Sequence, residues 1–522
     1  AIIVRQITET SGNPILNGVK PEFRSKSSLY RNRNPINTVT PLLNGRTDDG
    51  KSPVEPVAWI NTRENRRVFY TSLGSPEDFT DPNFRRLLLN GILWTLDEFI
   101  APTTSAKVNS PDVTTESVSP APKPLQQLNP LTPGESARSF HVFDDLVFEQ
   151  VLAEPIVTQP VFLTFDERGR LWVVQYRQYP DPAGLKMVSR DNFWRTVYDK
   201  IPPPPPHHFK GADKITIHED TDGDGTFDKH KTFLEGLNIV TSVAFGRGGV
   251  FVLNPPYLLF YADKDRDDVP DGDPQVLLSG FGLEDTHAVA NSLRWGPDGW
   301  LYGCQGSTVT ANIIVYGADG KPLNDKPIYS QGQNIWRYHP EKRVYEVFSE
   351  GGGNAFGIEI DSAGRIFSGH NGGNTRGFHY QQGAYLQKGF DKHGPLSNPY
   401  AFGYFPPMAH NAADRFTHNF IIYDSGALGE QYQGKLFGVE PLQGRIVMSE
   451  ITPDGSTFRT RDLGYPVTSD DKWFRPVDIK LGPDGAIYVC DWYDRQVNHY
   501  RNHEGQMDAS NGRIYRLRAK QP

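Results

Sequence analysis

The chain has 522 residues, a formal net charge of −8 and no basic run, which argues against a nucleic-acid surface. That length exceeds what one ordinary core supports, so two or more domains are expected. Fifty glycines, 42 prolines and 12% aromatic residues favour short strands joined by turns, hence a mainly β chain.

No apolar run approaches the roughly 18 to 20 residues that span a bilayer. No charged-then-apolar leader opens the chain, and its start, "AIIVRQ", lacks an initiator methionine, which reads as a processed or excised piece.

Residues 1 to 101 read as a small α/β module. "VEPVAWI" and "RRVFYTSLG" have strand character, and "PNFRRLLLNGILWTLDEF" carries apolar residues at helical spacing after an Asp-Pro start. Residues 102 to 137 are rich in Pro, Ser and Thr with almost no large apolar groups, so they form a linker.

From residue 138 to 522 a beat of glycine, any residue, aliphatic, aromatic recurs: "GRLW" at 169, "GGVF" at 248, "GWLY" at 299, "GRIF" at 364, "GKLF" at 434 and "GAIY" at 485. Two beats sit in nearly identical stretches, "GPDGWLYGCQGST" and "GPDGAIYVCDWYD". The mean spacing is about 63 residues, which fits propeller blades carrying loop insertions. An apolar strand leads into most of these turns, so each beat predicts a hairpin, the inner half of a blade. The expected fold is a six-bladed β-propeller, closed by "GRIYRLR" pairing beside residues 139 to 152.

Six residues after the beat glycines stand Gln175, Asn254, Gln305, His370, Glu440 and Asp491, all polar. The expected starts of the first strands are polar too: Gln159, Asn238, Asn354 and Arg475 stand ten before their glycines, with His287 and Asn291 twelve and eight before Gly299. If both sets converge on the axis they line a wet pocket, the default ligand site of a rigid β frame.

Cys304 and Cys490 fall in the third and sixth beats, across the ring from each other, too far apart for a disulfide, and are expected to be free thiols. "DTDGDGTFD" places Asp220, Asp222, Asp224 and Asp228 at positions 1, 3, 5 and 9 of a loop with Gly225 at position 6. "DKDRDDVPD" repeats this with Asp263, Asp265, Asp267 and Asp271, but with Asp268 at position 6. Such spacing wraps carboxylate oxygens round Ca²⁺, although Lys231 and Pro274 stand where a bidentate Glu would complete the set; an Asx-rich turn is the alternative. The insertion "DNFWRTVYDKIPPPPPHHFKG", with His207 and His208, reads as a surface loop or a stiff lid.

Residues 138 to 522 resemble the propeller of the dehydrogenase-like proteins of planctomycetes and verrucomicrobia, through "EPIVTQPVFLTFDERGRLWVVQYRQYP", "HEDTDGDGTFDKHKTFLEGL", "NSLRWGPDGWLYG", "FRPVDIKLGPDGAIYVCDWYD" and "SNGRIYRL". More distantly the chain is similar to soluble sugar dehydrogenases that use pyrroloquinoline quinone (PQQ). That resemblance implies His287 as general base, Asn354 of "GGGNAFG" as a quinone contact and Arg475 as a quinone-binding cation. Gly353 stands where an arginine would precede that asparagine, and Glu440 and Gln443 where a lysine would. Residues 1 to 100 resemble the C-terminal half of the ThuA-like (trehalose-utilisation) domain. Asn13-Pro14 stands where that family has His-Pro, and Ser75 where it has a histidine, so a docking or structural module is expected.

The functional expectation is an oxidoreductase acting on a sugar or other alcohol. His287, Arg475 and Asp491 are its candidate catalytic groups, and Asn354, His370, Asn371, Arg475, Gln305 and Glu440 its candidate cofactor contacts. The cofactors expected are Ca²⁺ and PQQ, with no covalent haem because no CxxCH occurs. A cytochrome or other redox partner and a periplasmic or extracellular location go with that reading. The alternatives are a non-catalytic glycan- or protein-binding propeller within a larger complex, and a metal-assisted hydrolase or lyase using His370, Glu440, Asp491 and His499.

Overall fold

The computed structural model describes residues 2–30, 39–63, 66–97, 129–191, 195–388, 404–415, 417–495 and 507–521. Most of the expected linker, and His499, lie outside them. The chain divides into two compact units, residues 1–122 and 123–522.

In the first unit five strands pair antiparallel in the order Glu22–Ser25, Ile2–Gln6, Val39–Thr47, Glu55–Arg63, Arg66–Thr71. The helix Pro82–Thr95 starts where expected. Asp81 accepts from the Asn83 amide (2.6 Å), and Pro82 occupies the first turn, where its missing N–H costs nothing. Phe84 and Leu87 bury into a core with Ile2, Val4, Leu43 and Val57. The helix lies so close to its sheet that a Cβ on Gly91 would fall 2.3 Å from the Phe69 ring. The two positions that depart from the ThuA pattern serve turns here. Asn13 Oδ1 caps the Ile15 amide (3.0 Å), and the Ser75 amide donates to Asp78 (3.1 Å).

The second unit is a β-propeller whose strands form six antiparallel sheets, each holding one beat, and a separate two-stranded sheet, Met187–Arg190 with Thr196–Tyr198. The first sheet is Pro160–Phe165, Leu171–Gln175, Asp213–Glu219 and Lys229–Leu237. The second is Ser242–Gly246, Gly249–Asn254, Tyr257–Ala262 and Gln275–Phe281, extended by Thr310–Val315 and Ile328–Gln331. The third is Asn291–Trp295, Leu301–Gln305, Asn334–His339 and Val344–Glu350, and the fourth is Glu359–Ile360, Ile366–Ser368 and Phe378–Tyr380. The fifth is Asn419–Ile422, Leu436–Glu440, Arg445–Asp454 and Thr457–Ser469, edged by Phe140–Val142. The sixth is Pro476–Leu481, Ile487–Asp491 and Arg513–Ala519, completed by Leu146–Ala153 from the start of the unit.

The beat itself has a backbone cause. Gly169, Gly248, Gly299, Gly364, Gly434 and Gly485 all lie at φ between +73° and +78°, the left-handed turn between first and second strands that side chains disfavour. Apolar clusters fill the space between consecutive sheets, including one that joins the sixth to the first through Val477, Tyr488 and Cys490 against Leu163, Leu171 and Val173. First strands adjoin one another round the axis and are pinned to their neighbours. The Leu293 amide donates to Ser242 Oγ (3.1 Å), the Leu163 amide to Asp478 Oδ2 (3.0 Å), and Arg294 to Glu359 Oε2 (2.6 Å). Both cysteines are free and buried in such clusters. Burial pushes the Cys304 thiol up to about 12 and the Cys490 thiol well up. No helix of the described residues is long and apolar enough to cross a membrane.

Candidate functional site

The six first strands begin around one cavity that is partly open to solvent. Each sheet contributes from that end: Val161 and Phe162, Thr241, Asn291 and Ser292, Phe356, His418, Val477. Tyr176, Tyr179, Thr286, His287, Val289, Trp492 and Met507 complete the wall. None of these side chains is formally charged except as a histidine cation.

His287 sits on a loop that the fold ties down. Its amide donates to Asp285 Oδ1 (3.1 Å), whose other oxygen accepts from Thr308 Oγ1. Tyr176 Oη donates to the Thr286 carbonyl (2.8 Å). The His287 Nδ1 lies 2.9 Å from Tyr179 Oη. Burial pushes the Tyr179 hydroxyl well up, so it stays neutral and shares one hydrogen bond with the His287 ring. His418 stacks on Phe356 (4.4 Å between ring centres, 17° between planes). Burial, and after it the neighbouring His287, bring its pKa down to about 3, so its imidazole is neutral near pH 7.

The polar residues six after each beat glycine do not line this cavity. Four of them, Gln175, Asn254, Gln305 and Asp491, instead satisfy backbone groups, and Glu440 pairs with arginine side chains. Gln175 accepts from the Thr158 amide (2.9 Å), Asn254 donates to the Asn238 carbonyl (2.8 Å), Gln305 to the Gly332 carbonyl (2.8 Å), and Asp491 accepts from the Arg475 amide (2.8 Å). The expected convergence of that set on the axis is therefore corrected: chain ends entering a buried strand need polar partners, and these tips supply them. Asp491 has its carboxyl pushed up by burial to about 7. Arg475 spends its guanidinium on the carbonyls of Phe474 (2.8 Å) and Arg495 (2.6 Å). Glu440 is fully buried between Arg376 and Arg445.

Asn354 Oδ1 accepts from the Ser307 amide (2.6 Å), and the Asn371 carbonyl accepts from Arg415 (2.8 Å). His370 fills the space beside Gly353, where a Cβ would meet its Nδ1 at 1.6 Å; burial brings its pKa down to about 4. Of the sequence-predicted candidates, His287 and Asn291 reach the cavity. His418, Trp492, Tyr176 and Tyr179 were missed. A sequence signal for the lining existed two residues further into each first strand. Val161, Asn291, Phe356 and Val477 all stand eight before their glycines, while the long turn of the fifth sheet puts His418 sixteen before Gly434.

PQQ carries three carboxylates and needs cations. Among the described residues none lines the cavity, Gly353 is backed by His370, and Glu440 is an anion already paired twice. The residues present do not fit that cofactor in this cavity.

The two aspartate loops occupy equivalent outer turns of the first and second sheets. Carboxylate oxygens of Asp220, Asp222 and Asp224, and those of Asp263, Asp265 and Asp267, come within 4.8 Å of one another. Asp228 and Asp271 instead cap the amides of Thr221 and Lys264 (3.1 Å each).

A propeller with an uncharged axial cavity, carried in one chain with an N-terminal ThuA domain, is the class that the architecture defines. A ThuA (Trehalose utilisation) family model matches residues 3–95. Residues 132–521 match the family described as Domain of unknown function (DUF7133), and the chain belongs to that family. No curated protein matches. Among solved structures, the chain is similar to the PQQ-bound aldose sugar dehydrogenase from Streptomyces coelicolor (14% identity, 73% of this chain and 98% of that one, TM-score 0.41). It is similar also to a putative oxidoreductase (glucose dehydrogenase) from Thermus thermophilus (17%, 71% and 99%, 0.38). A third is the soluble aldose sugar dehydrogenase from Escherichia coli in its apo form (12%, 72% and 100%, 0.38).

Proposed function

We propose that the axial cavity takes a neutral sugar or small alcohol and that the chain oxidises it. The observation that carries this reading is one uncharged, aromatic-walled cavity holding two histidines, one braced by a tyrosine hydroxyl. Tyr176, Tyr179 and Trp492 offer ring faces and edges to the C–H surface of a sugar, and Asn291, Thr241 and the histidines offer hydrogen bonds to its hydroxyls. Alcohol oxidation removes a hydroxyl proton and a hydride. His287 takes the proton, and His418, held neutral, accepts or donates a hydrogen bond without placing charge beside it. The hydride goes to a bound two-electron acceptor other than PQQ, which a cytochrome or another redox partner reoxidises one electron at a time.

The second reading, a non-catalytic glycan-binding propeller, is favoured by the lack of a cationic cofactor cradle among the described lining residues. One experiment separates the two: purified full-length chain is given a panel of aldoses and small alcohols with an artificial dye acceptor, and binding is followed by calorimetry. Dye reduction that disappears in His287→Asn supports the oxidoreductase. Sugar binding without dye reduction leaves the binding module, and neither signal removes both.

A further inference from the structure

The outer turn Asp263–Asp271 of the second sheet and its counterpart Asp220–Asp228 in the first fold alike. Position 6 is left-handed in both, Gly225 at φ +89° and Asp268 at φ +63°. Its amide donates in both to the first aspartate, at 2.8 Å in one loop and 3.3 Å in the other. They differ at that first carboxylate. Both oxygens of Asp220 take amide hydrogens, from Gly223 and Gly225 (2.8 Å each), and the residue is half-buried. Asp263 is only 8% exposed, and its Oδ1 accepts no well-formed hydrogen bond.

A buried carboxylate oxygen without a donor is costly, and two further carboxylates beside it make the site more anionic still. The nearby cations are committed elsewhere. Arg170 is bound bidentate to Asp268 (2.7 and 2.8 Å) and to Asp166 (2.8 Å). Arg266 pairs with Glu167 (3.2 Å), and Lys231 donates to the Asp267 carbonyl.

We propose that this second loop binds Ca²⁺ through Asp263, Asp265 and Asp267. Three carboxylates on one adaptable turn suit Ca²⁺, whereas Mg²⁺ keeps its waters and uses one or two. The first loop, whose leading carboxylate is already satisfied, carries no such assignment, although its sequence comes nearer the calcium pattern. Because Asp268 pairs with Arg170 of the first sheet, an ordered loop also braces the junction of the first two sheets.

The test uses the chelator-treated full chain, titrated calorimetrically with Ca²⁺ in excess Mg²⁺ and with Tb³⁺ luminescence excited through Trp172, which borders the same surface cavity as Asp263. A saturable Ca²⁺ event is expected, weakened at least about ten-fold by Asp265→Asn and abolished by Asp263→Asn. Asp265 is exposed, so its variant keeps the fold even if loss of Asp263 does not. No event up to about 5 mM Ca²⁺, or an affinity unchanged in Asp265→Asn, overturns the proposal.

Discussion

The two ends of the axial channel are made by the same six strands, yet their chemistry is opposite. Where the strands begin, the wall is aromatic, hydroxyl, amide and imidazole. Where they end, a second pocket has Arg294, Glu359, Asp361, Asp424 and Lys480 in its wall. Phe162 and Ser292 border both. Two ion pairs stand at the second end, Arg294 with Glu359 (2.6 Å) and Lys480 with Asp478 (2.6 Å), whose Oδ1 also accepts from Asn419 (2.6 Å). The Arg294–Glu359 and Asn419–Asp478 contacts run between neighbouring strands and fasten them. Among the described residues, no ion pair lines the end where the strands begin.

The largest effect separates chemistry from fastening. His287→Asn lowers kcat by about 10³-fold while KM moves little, since the variant fills the same space without a base. Arg294→Met should do the reverse, with ligand affinity unchanged and stability lower by about 3 kcal/mol in urea unfolding. Its partner variant, Glu359→Gln, costs less, because burial pushes the Glu359 carboxyl up in spite of Arg294 and its charge is the less favourable of the two. A loss of kcat in Arg294→Met as large as in His287→Asn would erase the division between the ends.

How much of this was legible in the sequence depends on what each signal had to satisfy. The beat glycines were readable because one backbone conformation recurs six times and only glycine adopts it freely. The polar residues six positions on were readable as polar, but not as to purpose. A strand end that satisfies buried amides within its own sheet, as Gln175 does, leaves the same mark as one facing a funnel. Phe356, Val161 and Val477 escaped notice because apolar residues in a strand look like core. Trp492 was quoted within a repeat and looked no different from a packing residue. The partner of the last strand was readable in part: Arg513–Ala519 pairs with Leu146–Ala153, while Phe140–Val142 joins the fifth sheet instead.

A smaller effect concerns pH. His418 has its folded pKa brought down to about 3 by burial, below the roughly 6.5 of an unfolded histidine. The unfolded chain therefore binds the proton first, and stability that is complete above about pH 6.5 falls as pH drops toward 3. In His418→Gln that fall becomes shallower, by at most about 1.4 kcal/mol per pH unit, as read from unfolding curves across the window. An unchanged slope would place His418 in a wetter setting than the stacked pocket.

The smallest effect is a non-reaction. Cys304 and Cys490, buried in inter-sheet clusters with thiols pushed up, stay unalkylated by iodoacetamide at pH 8 in the folded chain and react on unfolding.

The uncharged character of the cavity is tested most directly by paired calorimetric titrations of the full chain with a neutral aldose and with its aldonate, the same skeleton bearing a carboxylate. Binding of the aldose, with the aldonate weaker by about a hundred-fold or more, is the result expected of a wall without a cation. An aldonate, or PQQ, that binds as tightly as the neutral sugar or more so would contradict it.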